Sequence, residues 1–100
     1  MIVGKLVRDR IPEIMRQQGK DPEVERISGE RLRRALKDKL VEEAEEVRQA
    51  DDIAEELADV LEVVDALIEA YGLDPGEVDL ARADKKAKRG GFSRGEYLIR

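Results

Sequence analysis

The run KLVEEAEEVRQADDIAEELADVLEVV at residues 39–64 contains the end of one amphipathic segment, a short polar turn and the start of another. On both sides of this turn, apolar residues recur at the spacing of one helix face. The pattern predicts one helix over residues 30–49 and a second from about residue 53 to Gly72, where glycine ends it. Because so short a turn joins antiparallel neighbours, the two long helices are expected to pair.

Two shorter helices are predicted on either side of this pair. Pro12 suits the first turn of a small helix that Gly19 closes, and Pro75 opens a helix that runs to about Lys88. The apolar face of the second long helix is wide, which is typical of a helix that packs on more than one side. We therefore expect an all-α fold, an antiparallel bundle of about four helices with two long central ones.

Short extended segments are expected around the helices. Residues 2–8 form one candidate, and residues 24–27 alternate apolar and charged side chains as a short strand does. The glycine-rich tail predicts turns and a short strand at residues 97–99, which could pair with residues 2–7.

Composition narrows both architecture and chemistry. The 100 residues predict a single domain over 1–100, and a domain this small buries only about 60% of its surface, so self-association would help it. A homodimer or homotetramer is expected, because a pair of helices leaves a cleft open on one side. The chain has no Cys and no His, which excludes disulfide scaffolds, zinc fingers, thiol nucleophiles and imidazole catalysis. Any chemistry must use carboxylates, amines or hydroxyls.

Charge and hydropathy also limit the partners. No apolar run approaches the roughly 18 residues of a membrane span, and the first ten residues lack a signal-like stretch, so a soluble cytoplasmic protein without a membrane partner is expected. The net charge is −5 and only three residues are aromatic, which disfavours nucleic-acid binding. Residues 42–69 carry twelve acids and one base, whereas both flanks are basic.

Four of these acids fall on apolar helix faces. When residues are placed at 100° intervals, Glu43 projects inside the apolar stripe of its helix and Glu46 lies at its border. On the next helix, Glu56 and Asp59 also fall among apolar positions. Each could be an ordinary border residue whose methylenes pack while its carboxylate reaches water. The role of Lys39 also has two interpretations, since its ammonium group could pair with Glu43 or Glu46 or contact a phosphate.

The two pairs are spaced i, i+3 on antiparallel helices, so they can face each other. Four carboxylates in a partly buried cleft would repel one another and raise each other's pKa values unless a hard cation neutralised them. Ligands that are all oxygen, without His or thiolate, indicate Mg²⁺ or Mn²⁺.

These motifs resemble the MazG-like all-α NTP pyrophosphohydrolase superfamily, which includes phosphoribosyl-ATP pyrophosphohydrolases. KLVEEAEEV at 39–47 looks like its Glu-Glu-x-x-Glu motif, and EELADVL at 55–61 looks like its Glu-x-x-Asp motif. The runs KLVRDRIPEIM at 5–15 and KRGGFSRGEYLIR at 88–100 look like a short house-cleaning subgroup. The resemblance implies that Mg²⁺ is bound by four acids: Glu43, Glu46, Glu56 and Asp59.

The activity implied is hydrolysis of the α–β phosphoanhydride of a nucleoside triphosphate, non-canonical ones included, to a monophosphate and pyrophosphate. Glu42 or Glu43 would orient or deprotonate the attacking water. Basic side chains would hold the other phosphates. The candidates are Lys39, Lys5, Arg8, Arg10, Lys88 and Arg89. Two alternatives stay open: phosphoribosyl-ATP pyrophosphohydrolase of histidine biosynthesis, and a non-catalytic helical interaction module.

Overall fold

Four helices make up the regular structure of the computed structural model, which describes residues 4–100. They are α1 (Ile11–Gln17), α2 (Gly29–Gln49), α3 (Ala54–Ala70) and α4 (Pro75–Arg89). The expectation of an all-α chain with four helices, two of them long, is confirmed.

The turn between α2 and α3 is stabilised by a local hydrogen bond. Oδ1 of Asp52 accepts from the backbone N–H of Ala54 at 3.2 Å, which satisfies one of the donors that a helix N-terminus leaves unpaired. At the other end of α3, Gly72 adopts a φ of 64° and the N–H of Leu73 donates to the carbonyl of Ile68 at 3.0 Å. These local signals set the length of the helix as predicted.

The α2–α3 pair forms the core. Among the helices of residues 4–100, only α2 and α3 pack extensively on each other. Leu36 of α2 and Val63 of α3 are the buried apolar side chains of this described region, at 5% and 8% exposure. The predicted bundle is therefore not closed within one chain. The physical reason is that α1 has only seven residues and α4 presents few apolar side chains, such as Val78 and the exposed Leu80.

The predicted short strands are wrong within the described residues, none of which lies in a strand. Residues 24–27 alternate apolar and charged side chains, and residues 97–99 are mainly apolar. Neither segment forms the hydrogen-bonded ladder with another backbone segment that a strand requires. Residues 4–8 likewise form no strand, and residues 2 and 3 of that predicted segment lie outside the described part of the chain.

The chain is open in shape. Its radius of gyration is 17.1 Å, compared with about 13 Å for a compact domain of this length. Large apolar side chains remain exposed along it, including Leu61 at 63% and Phe92 at 99%. No helix in residues 4–100 combines the length and the apolar character needed to cross a membrane.

Candidate functional site

Three carboxylates of α2 gather near the turn end of the helix. Oxygen atoms of Glu42, Glu43 and Glu46 lie within 4.8 Å of one another. Glu46 follows Glu43 by three residues and Glu42 by four, and side chains at these separations are neighbours on a helix surface. The cluster therefore joins two predicted ligands, Glu43 and Glu46, with a predicted catalytic residue, Glu42.

Glu43 is the buried member of the cluster. It is 6% exposed, in agreement with its predicted place inside the apolar stripe. Its Oε1 lies 3.4 Å from Nζ of Lys39, which also lies 3.5 Å from Oε1 of Glu42. Oε2 of Glu43 is buried and has no hydrogen-bond partner in the described structure. Because a buried carboxylate oxygen is costly to leave unpaired, this atom marks a position where a cation, a proton or a water would bind.

Glu46 lies at the exposed edge of the same cluster. The adjacent carboxyl of Glu43 raises the pKa of Glu46, first by accepting a hydrogen bond that only protonated Glu46 can donate and then by its like charge. Partial burial and Glu42 act in the same direction, and Lys39 acts against them. The cluster thus holds more negative charge than Lys39 neutralises.

The two acids of α3 are in different surroundings. Oδ1 of Asp59 accepts from Nη2 of Arg8 at 2.7 Å, whereas Glu56 is half-buried and makes no ion pair among the described residues. Neither acid belongs to the group of three on α2. Asp59 nevertheless lines the same cleft as Glu43.

This cleft lies between α2, α3 and the N-terminal strap, the irregular segment at residues 4–10. Its volume is about 540 Å³, within the roughly 300–1,000 Å³ of small-molecule sites. At the turn end it is lined by charged side chains, namely Lys39, Glu43, Arg8, Asp59 and Glu62. Further along the helices it is lined mainly by apolar side chains, namely Leu32, Leu36, Val63, Ala66 and Ala70, and by one acid, Glu69. Asp9 of the strap also lines the cleft. The cleft therefore offers a polar end and an apolar end to one ligand.

The other predicted substrate-binding residues divide by location. Nζ of Lys5, on the strap, lies 3.3 Å from Oε1 of Glu42 and so reaches the acidic cluster. Arg10, the last residue of the strap, pairs with Glu13 of α1 at 3.4 Å. Lys88 pairs with Asp84 at 3.1 Å on α4, and Arg89 ends that exposed helix. Within one chain, Lys39, Lys5 and Arg8 are thus brought to the acids, and Arg10, Lys88 and Arg89 are not.

Sequence reasoning missed Glu62 and the strap. Glu62 lines the cleft, and its Oε1 lies 4.0 Å from Nη1 of Arg8. Leu6 and Val7 form part of the cleft wall. The sequence carries a weak signal for this, since Leu6, Val7 and Arg8 place apolar and basic residues side by side before the first helix.

The residues of α2 fit a hard divalent cation. The donor set is all carboxylate oxygen, and one of those oxygens is buried without a partner. Glu43 and Glu46 would hold such an ion from α2. Of the two predicted ligands on α3, Asp59 lines the same cleft as Glu43, whereas Glu56 does not line it.

Comparison with known proteins gives little further guidance. No protein-family model matches this chain. The chain is similar to an uncharacterized protein of Mycolicibacterium smegmatis, with 45% identity over 49 residues. The match covers 49% of this chain and 50% of that protein, so the chain spans about half the length of the curated relative it matches. No solved structure matches it.

Proposed function

We propose that this chain is a Mg²⁺-dependent nucleotide pyrophosphohydrolase of the MazG-like type, which cleaves the α–β phosphoanhydride of a nucleoside triphosphate. The observation that supports it best is the buried Glu43 carboxylate, which has one unpartnered oxygen in a cluster of three acids. Glu43 is the member of the cluster that lines the cleft, at its charged end, and the other end of the cleft is mainly apolar. The polyphosphate of a nucleotide suits the charged end of such a cleft, and its base suits the apolar end.

Each acid has a distinct part in this proposal. Glu43 and Glu46 hold the metal from α2, and Asp59 and Glu56 complete the set from α3. Bound Mg²⁺ supplies neutralisation of the phosphate charge and a lowered pKa for a bound water. Glu42 takes the proton of the attacking water, since its side chain is 26% exposed beside the cluster, whereas Glu43 is buried and holds the metal. The water oxygen bonds to phosphorus, the α–β bridging bond breaks, and a monophosphate and pyrophosphate leave.

The basic residues would orient the phosphates. Lys39 lines the cleft, and its side chain is 17% exposed. Lys5 and Arg8 extend from the strap toward the two helices. An ammonium acts on phosphate as a point charge and a guanidinium as a bidentate fork, so Arg8 can also fix orientation.

Association of several copies is part of the same proposal. The accessible surface of 9182 Å² exceeds the roughly 5,700 Å² expected for a compact chain of this mass. The difference is larger than the roughly 1,600 Å² buried in a standard interface. We propose a homodimer or homotetramer, in which a second copy covers the exposed apolar side chains and closes the site.

Pyrophosphate release is the direct test. The assay covers standard and modified nucleoside triphosphates and phosphoribosyl-ATP, with Mg²⁺ or excess chelator, for the wild type, Glu43→Gln and Glu45→Gln. Glu45 is the matched control, because it lies on the same helix but points to solvent beside Arg48. We expect Mg²⁺-dependent release that is lost in Glu43→Gln and kept in Glu45→Gln.

The exposed apolar side chains favour a second candidate, a non-catalytic helical interaction module. It predicts no release from any nucleotide and no change in metal response between the two variants. Preference for phosphoribosyl-ATP in the assay would instead place the chain in histidine biosynthesis.

A further inference from the structure

Arg8 connects the strap to α3 across the charged end of the cleft. Its Nη2 donates to Oδ1 of Asp59 at 2.7 Å, and its Nη1 lies 4.0 Å from Oε1 of Glu62. Arg8 and Asp59 are 51 residues apart in the chain. The contact is therefore a tertiary one, and it places a full positive charge on the α3 side of the cleft.

Arg8 and Lys39, the two basic side chains at the charged end of the cleft, belong to different parts of the chain. Lys39 belongs to α2 and pairs with Glu43 one helical turn away, so it stays with the acids that it neutralises. Arg8 comes from an irregular segment, and its side chain is 53% exposed. The neighbouring Leu6 and Val7 are half-buried in the cleft wall, which anchors the strap while the Arg8 side chain can change partner.

We infer that Arg8 and the divalent cation compete for Asp59, and that Arg8 moves to a phosphate of the nucleotide when both ligands bind. This inference rests on the proposed function. A divalent cation at Asp59 would lie within a few ångströms of the guanidinium, and the like charges would repel. A bound polyphosphate removes this conflict, because it gives Arg8 a bidentate anionic partner of its own.

The consequence is coupling between metal and nucleotide. When the metal binds alone, it must displace Arg8 from its pair with Asp59. When polyphosphate binds with the metal, the displaced Arg8 pairs with a phosphate instead. Each ligand therefore raises the affinity for the other. Arg8 makes the site respond to the metal–nucleotide complex rather than to the free ion.

The test is Mn²⁺ binding measured by electron paramagnetic resonance and calorimetry without nucleotide. Arg8→Gln should bind Mn²⁺ more tightly than the wild type, by up to about tenfold, since it removes a nearby positive charge. Arg8→Lys keeps the charge and should stay near the wild type. Arg31→Gln is the matched control, because Arg31 forms a similarly short pair with Glu25, 2.6 Å, on an exposed surface away from the cleft. It should leave Mn²⁺ affinity unchanged.

A second titration uses inorganic tripolyphosphate as the probe, with Mg²⁺ present. Arg8→Gln should weaken tripolyphosphate binding several-fold while Arg31→Gln does not. Unchanged or weaker Mn²⁺ binding in Arg8→Gln would overturn the inference, and the weaker case would assign Arg8 to positioning Asp59 for the metal. Absence of Mn²⁺ binding in the wild type would instead contradict the metal site, and the proposed function would fail with it.

Discussion

Oε1 of Glu43 lies 3.4 Å from Nζ of Lys39, whereas Oε2 of the same carboxylate is buried without a hydrogen-bond partner. Lys39 is shared, because it also lies 3.5 Å from Glu42. Nζ of Lys5 also lies 3.3 Å from Glu42, so two ammonium groups face three carboxylates, the third being that of Glu46. The cluster keeps a net negative charge that a divalent cation can compensate.

Replacing Lys39 tests how much this ammonium group stabilises the fold. In chelator at neutral pH, Lys39→Met should lower the free energy of unfolding by about 1–3 kcal/mol, because Glu43 is left buried without its cation. Mg²⁺ should restore more stability to the variant than it adds to the wild type. Urea denaturation with and without Mg²⁺ measures both effects. Lys85→Met on exposed α4 is the control and should stay within about 0.5 kcal/mol of the wild type. Equal losses in both variants would contradict the assigned role.

The acidic cluster should also make stability depend on pH. Since the pKa of Glu46 is raised above its ordinary value of 4.5, its contribution to folding is full below that pH and is lost as the pH rises through its folded-state pKa. In chelator, the free energy of unfolding of Glu46→Gln should therefore fall less than that of the wild type between pH 4.5 and neutrality. Urea titrations across this range give the comparison. Glu45→Gln, the exposed control, should follow the wild type; parallel curves for all three proteins would refute the coupling of Glu46 to Glu43.

The helices and the burial of Glu43 were predictable because their signals are local. The limits of α3 follow from the hydrogen bond that Asp52 accepts before the helix and from the glycine at Gly72, each predictable from a few neighbouring residues. The place of Glu43 follows from its angle around the axis of its own helix. A pattern with a period of 3.6 residues carries this information without knowledge of the rest of the chain.

Features that depend on distant segments were not predictable in this way. No periodic pattern links Arg8 to Asp59, so the strap across the cleft could not be read from the sequence. The alternation at residues 24–27 is equally local, but a strand needs a partner at a distance, and the chain supplies none within its described residues. The same limit explains Glu62, whose helix face is polar in projection yet forms part of the cleft.

The small core should respond strongly to truncation. Leu36 is 5% exposed at the α2–α3 contact, so Leu36→Ala should lower the free energy of unfolding by about 2–5 kcal/mol. Leu80→Ala removes the same atoms from a side chain that is 72% exposed on α4 and should cost less than about 1 kcal/mol. Urea denaturation of both variants provides the measurement. A loss at Leu80 as large as that at Leu36 would show that α4 is covered in solution.

Association of copies is expected to use the outer side of α3. Leu61 is 63% exposed, and Leu57, one helical turn earlier, is 43% exposed, which leaves an apolar stripe next to the charged cleft. Wild-type protein should sediment as a dimer or tetramer, and Leu61→Glu should shift it toward smaller species, because burying a carboxylate in an apolar interface is costly. Leu80→Glu is the control with the same change on α4. An equal shift in both variants would move the interface away from α3, and a monomeric wild type with full activity would contradict association as a part of the site.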